Sequence, residues 1–95
     1  MTGLNFIVET KVAPAGVIAN LYVQGLTEDV WKTYISANPK GHYVVTGDWG
    51  TSEDDAVILL KRVIEKEVKK WSNHRDPRPS QVRRMDLLKM GLASI

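Results

Sequence analysis

From residue 51 to residue 71 the apolar side chains return every three or four positions: Val57, Leu60, Ile64, Val68 and Trp71, widened by Ala56 and Val63. That spacing predicts an α-helix of about six turns with one apolar stripe. Its ends are marked as well. Thr51 or Ser52 stands at the N-cap, and Asp55 follows Ser52 by three in an approximate capping box. Glu53, Asp54 and Asp55 open the helix while Lys69 and Lys70 close it, the polarity its dipole favours. A helix this long with one sticky stripe must lie on something, and the rest of a 95-residue chain has to supply that surface.

The first 24 residues supply it. Over residues 4–12, Leu4, Phe6, Val8 and Val12 share one face with Thr10, while Asn5, Glu9 and Lys11 point the other way; Ile7 breaks the pattern. Over residues 17–24, Val17, Ala19, Leu21 and Val23 alternate with Ile18, Asn20 and Tyr22. Period-two alternation rich in β-branched residues predicts half-buried strands. Pro14-Ala15-Gly16 between them carries turn chemistry, so the pair reads as an antiparallel hairpin.

The middle of the chain is less uniform. Thr27 as N-cap, Glu28 and Asp29 behind it, and Val30, Trp31, Tyr34 and Ile35 at helical spacing predict a short helix ended by Asn38-Pro39. Trp31, Thr33 and Ile35 also alternate, which leaves a strand as the competing reading. Residues 42–46 read as a further strand, and Gly47-Asp48-Trp49-Gly50 as a turn. Residues 72–79, with two prolines and no apolar side chain, read as a linker. Ser80 then caps a last helix to about Met90, stopped by Gly91, whose apolar side is Val82, Met85, Leu88 and Leu92. The order β-β-α-β-α-α predicts an α+β fold: a small antiparallel sheet packed against one long amphipathic helix, with a short C-terminal helix. The expected organisation is an α+β domain over 1–71, a linker over 72–79 and a C-terminal amphipathic helix over 80–95.

Composition narrows the chemistry. With no cysteine, disulfide frameworks, thiolate metal sites and thiol nucleophiles are excluded. Hydrophobic residues at 43% and charged residues at 25% fit a globular chain. The longest apolar run, residues 56–60, falls far short of the ~20 residues a membrane span needs. No basic-then-apolar leader opens the sequence, so a cytoplasmic protein without membrane contact is the expectation.

Reactive groups are sparse. The two histidines, His42 and His74, lie at a strand start and in the linker, and no nucleophile-elbow pattern surrounds a serine. Asp48, Glu53, Asp54 and Asp55 are the densest acids, but neighbours on a helix diverge by about 100°, which works against a shared cation. No metal or cofactor is expected. The GxxG string at 47–50 lacks the flanking helices of a KH loop, and no Gly-Lys-Ser/Thr follows to make a phosphate loop. An enzyme is therefore not the expectation.

Two surfaces remain for contact. Trp49, in a turn between glycines, is either an exposed anchor for a protein partner or folds over the sheet edge. Val82, Met85 and Leu88 of the last helix join it as expected partner-binding residues, with packing of that apolar side on the body left as the other reading. The alternative is a nucleic-acid surface. Residues 69–84 hold Lys69, Lys70, Arg75, Arg78, Arg83 and Arg84 against the single acid Asp76, with Trp71 available to stack. The same charges also read as a solvated face, with Trp71 on the helix's apolar stripe.

The segment Val44-Val45-Thr46-Gly47-Asp48 followed by Thr51-Ser52-Glu53-Asp54-Asp55-Ala56, after two strands, resembles HicB-type antitoxins. In size and build the chain is also similar to small phage-encoded inhibitors such as anti-CRISPR proteins. The resemblance covers about a third of the chain and is one of fold. A helix between the strands departs from the HicB pattern, and no functional residue is carried over. These features together lead to the expectation of a non-enzymatic inhibitor or regulator acting by protein contact, with a homodimer as a further option.

Overall fold

The computed structural model describes residues 4–25, 42–73, 75–76 and 78–95. The predicted element over residues 27–37, with Trp31, lies outside them, as does His74.

Strands β1 (Asn5–Ala13) and β2 (Gly16–Gln24) pair antiparallel in continuous register from Asn5 opposite Gln24 to Ala13 opposite Gly16. The turn is Pro14-Ala15, with proline's fixed φ suited to its first position. Gly16 leaves it at φ +135°, and a Cβ there would lie 2.5 Å from the Gly50 carbonyl oxygen. The expected inward face is the observed one: Phe6 and Val8 pack beside buried Val17, Ala19, Leu21 and Val23. Val12 belongs to this face by register yet is 78% exposed. Thr10 already reaches Glu53, the first residue of the long helix, so Val12 overhangs its end.

Strand β3 (His42–Thr46) pairs antiparallel with β2, giving the order β1-β2-β3. The register shifts between Leu21, opposite Val45, and Tyr22, opposite Tyr43, so Val44 is the extra residue of a bulge. Val44 and Val45 are both buried. Residues 47–50 do not reverse the chain, contrary to the turn expected there. Gly47 donates to the Ala19 carbonyl at 2.9 Å, and Gly50 exchanges backbone bonds with Val17 at 2.7 and 2.9 Å. The segment continues down the edge of β2.

Helix α1 (Glu53–Ser72) lays Ala56, Leu60 and Ile64 fully into the core, with Val57, Val63 and Val68 packed around them. Ser52 is the N-cap, its Oγ accepting from the Asp55 amide at 3.1 Å. Asp55 answers one residue earlier than a standard box: its Oδ2 accepts from the Thr51 amide at 2.8 Å and the Thr51 hydroxyl at 3.2 Å.

Helix α2 (Pro79–Ser94) is capped at Arg78 rather than Ser80, with Pro79 in its first turn and Gln81 Oε1 accepting from the Arg78 amide at 2.8 Å. It packs on the body, burying Leu87 and Leu88 completely beside Leu21, Leu60 and Ile64. Gly91 is not its stop. The helix runs on to Ser94, and Gly91 is buried where a Cβ would lie 2.8 Å from Leu21 Cδ2 and 3.3 Å from Phe6. The glycine permits close packing of helix on sheet. The molecule is thus an α+β fold with one core, in which the C-terminal helix is a full participant.

Candidate functional site: two contact surfaces on one core

Trp49 is carried on backbone held from both sides. A Cβ at Gly47 would lie 2.8 Å from the Leu60 Cα, and one at Gly50 2.9 Å from the Ala56 amide nitrogen. Glycine at both positions lets this segment press directly onto α1, and the two residues between, Asp48 and Trp49, are both exposed. The Trp49 side chain is 48% exposed. Trp49 Cβ lies beside Gly16 at the hairpin turn, where Val12, Pro14 and Ala15 are exposed too. The tip is therefore an apolar cluster with one large aromatic at its rim.

The other expected partner residues are placed elsewhere. Leu88 is fully buried and cannot touch a partner in this fold, which corrects the expectation for it. The centre of the buried face runs through residues 84, 87, 88, 91 and 95, a stripe that an arginine and a glycine disguise in the sequence. Val82 is 37% exposed, and Met85 is half-buried with its sulfur 3.5 Å from the Ser72 hydroxyl. Gly50 sits against Ala56 while Met85 sits against Ser72, and sixteen residues of helix rise by about 24 Å. Trp49 and Met85 do not share a surface.

The basic residues are mostly at the surface. Lys69 and Lys70 in the last turn of α1, Arg75 and Arg78 after it, and Arg83 in α2 are all exposed. Arg84 is the exception. Its Nε and Nη2 donate to the two carboxylate oxygens of Glu67, and its Nη1 donates to the Val44 carbonyl at 3.1 Å. One guanidinium thus joins α2 to α1 and to the β3 bulge, a structural clip rather than a cation facing solvent. Two bases that the sequence reading passed over belong with the group: Arg62 and Lys66, both exposed on α1. Arg62, Lys66 and Lys70 follow one another at i, i+4 and i+8, so they share a face. Scanning by helical face rather than along a run of charge would have found them. Residues 61–84 contain nine bases and three acids, a net +6, against +2 for the whole chain, so the remainder carries −4.

Beside this row lies an open groove of about 530 Å³ lined by Asp48, Val63, Lys66, Glu67, Lys70, Trp71 and Arg84. Lys70 Nζ stands 5.2 Å from the centre of the half-buried Trp71 ring, a cation–π contact. On β3, Tyr43 meets Tyr22 edge to face at 6.1 Å. Burial raises the Tyr43 pKa above the usual phenol value, against the opposing pulls of the Arg84 charge and a hydrogen bond with Thr46.

His42 is half-buried opposite Val23. Glu53 accepts from Thr10 and Asp55 from Thr51, so the acids at the start of α1 serve its cap and its seat on the sheet. Among the described residues no three His, Asp or Glu side chains converge as metal ligands, and no helix is long and apolar enough to cross a membrane. Compared with known protein families, curated proteins and solved structures, the chain matches none.

Proposed function

We propose that the protein is a non-enzymatic binding protein that engages another protein through the tip around Trp49, acting as a small inhibitor or regulator by occlusion. The observation that carries this reading is a half-exposed indole on backbone fixed by Gly47 against Leu60 and by Gly50 against Val17 and Ala56. Tryptophan is the side chain most enriched among binding hot spots. Holding it in place beforehand lowers the ordering cost of association. Exposed Val12, Pro14 and Ala15 extend the apolar contact around it.

The test compares wild type with Trp49→Ala as bait in extracts of the native host. A protein retained by the wild type and lost with Trp49→Ala, while circular dichroism stays the same, supports the reading. Equal retention by both baits refutes it. Sedimentation addresses a second copy as the occupant: a dimer abolished by Trp49→Ala assigns the tip to self-association instead.

A further inference from the structure

We propose a second binding site, independent of the tip: the groove beside Trp71 and the cationic row Arg62, Lys66 and Lys70 bind single-stranded nucleic acid. Phosphates lie along the row and one base rests against the indole.

Three observations converge on this surface. First, the row carries repulsion within it. Like charges at i, i+4 destabilise a helix by about 0.2–0.5 kcal/mol per pair, and Arg62–Lys66 and Lys66–Lys70 are two such pairs on an exposed face, offset in part by Glu65 three residues after Arg62. Helix capping accounts for Lys69 and Lys70 but not for Arg62 or Lys66, two turns and one turn earlier. Second, the groove sets Lys66 and Lys70 beside an apolar wall formed by the Trp71 ring and Val63. A phosphodiester strand offers the matching combination of regularly spaced negative charge and flat rings. An acidic peptide would satisfy the lysines and leave the indole unused. Third, the Lys70 ammonium covers the Trp71 ring. A base taking that position leaves Lys70 free to swing to the neighbouring phosphate, so one side chain guards the ring and then engages the backbone.

The choice of a single strand follows from the ring. A base paired in a duplex cannot leave its stack without an added unpairing cost, whereas an unpaired one stacks directly. Two acids line the groove. Glu67 is held by Arg84, and Asp48 is exposed at the groove wall, where it opposes a phosphate. Asp48 therefore gives the proposal a variant expected to improve binding.

The experiment is fluorescence anisotropy with a labelled mixed-sequence oligonucleotide of about 16 nucleotides, its matched duplex, and polyglutamate as competitor. The strand is expected to bind with a log–log salt slope of about −2, from some three neutralised phosphates at −0.7 each. Lys66→Glu with Lys70→Glu, both exposed positions, is expected to abolish binding. Trp71→Ala should weaken it about ten-fold, Trp71→Phe should restore most of that, and Asp48→Asn should tighten it. Equal or tighter binding of the duplex, equally effective competition by polyglutamate, or undiminished binding by Trp71→Ala overturns the proposal. Trp49→Ala should bind the strand like wild type, so failure at one site is separable from failure at the other.

Discussion

At the hairpin tip a single indole is held out on backbone pinned to a helix, while along the second half of α1 the surface groups are long, flexible and charged. The tip has little to reorganise, and its cost on binding is mainly desolvation. In the complex proposed for it, the basic end would lose side-chain entropy for each lysine it orders but would attract its partner from a distance. Surfaces of the first kind chiefly set how long a complex lasts, and those of the second chiefly how fast it forms. Both rest on one core, so the contrast lies in how side chains are presented rather than in separate domains.

The widest test of that contrast is to remove what the two ends share. Leu88→Ala takes a fully buried side chain from between α2, α1 and the sheet, and should cost about 2–5 kcal/mol in urea unfolding. Tip and basic end should lose binding together. A midpoint shift at one surface without the other would show that the ends are independent units. For the same reason, deleting residues 80–95 removes two buried leucines and would unfold the body rather than probe a surface.

A smaller change should split the ends. Gly50→Ala sets a Cβ 2.9 Å from the Ala56 amide nitrogen and should destabilise by about 1–3 kcal/mol. It should disturb partner retention through Trp49 while oligonucleotide binding survives under folding conditions. Loss of both at the wild-type unfolding midpoint would break the distinction.

The smallest effect is electrostatic and lies at the clip. Because burial raises the Tyr43 pKa in the folded state, its contribution is fully present below the unfolded phenol value of about 10 and is lost as pH rises through the higher folded value. Comparing unfolding midpoints of wild type and Tyr43→Phe from pH ~9 to ~11 should show the wild type falling more steeply. Parallel curves would remove the inference.

Much of this fold was legible because two periodicities were clean. Alternation gave the inward faces of β1 and β2, and the three-and-four spacing with Ser52 and Asp55 gave α1 and its cap. The misreadings share a cause. Gly47, Gly50 and Gly91 look like local punctuation, but each allows a neighbouring element to approach, which depends on tertiary contact. Gly91 reads as a stop and Arg84 as surface charge, which together hide the face that carries Leu87 and Leu88. Arg84 merged into a charged run because nothing local reveals that Glu67 and a bulged carbonyl await it. For Trp49 the sequence leaves an exposed anchor and a ring folded over the sheet edge both open, and the structure leaves the side chain 48% exposed.

The length of α1 between the two surfaces has a consequence for how each is studied. Fourteen residues separate Ala56, beneath Gly50, from Lys70, a rise of about 21 Å. At physiological ionic strength the Debye length is about 8 Å, so the field of Lys70 is largely screened before it reaches Trp49, whereas Arg62, six residues and about 9 Å along the helix from Ala56, still acts there. The tip is thus insulated from Lys70, and altering that one charge leaves Trp49 as a built-in control. In ~0.01 M salt the Debye length grows to about 30 Å and that insulation disappears.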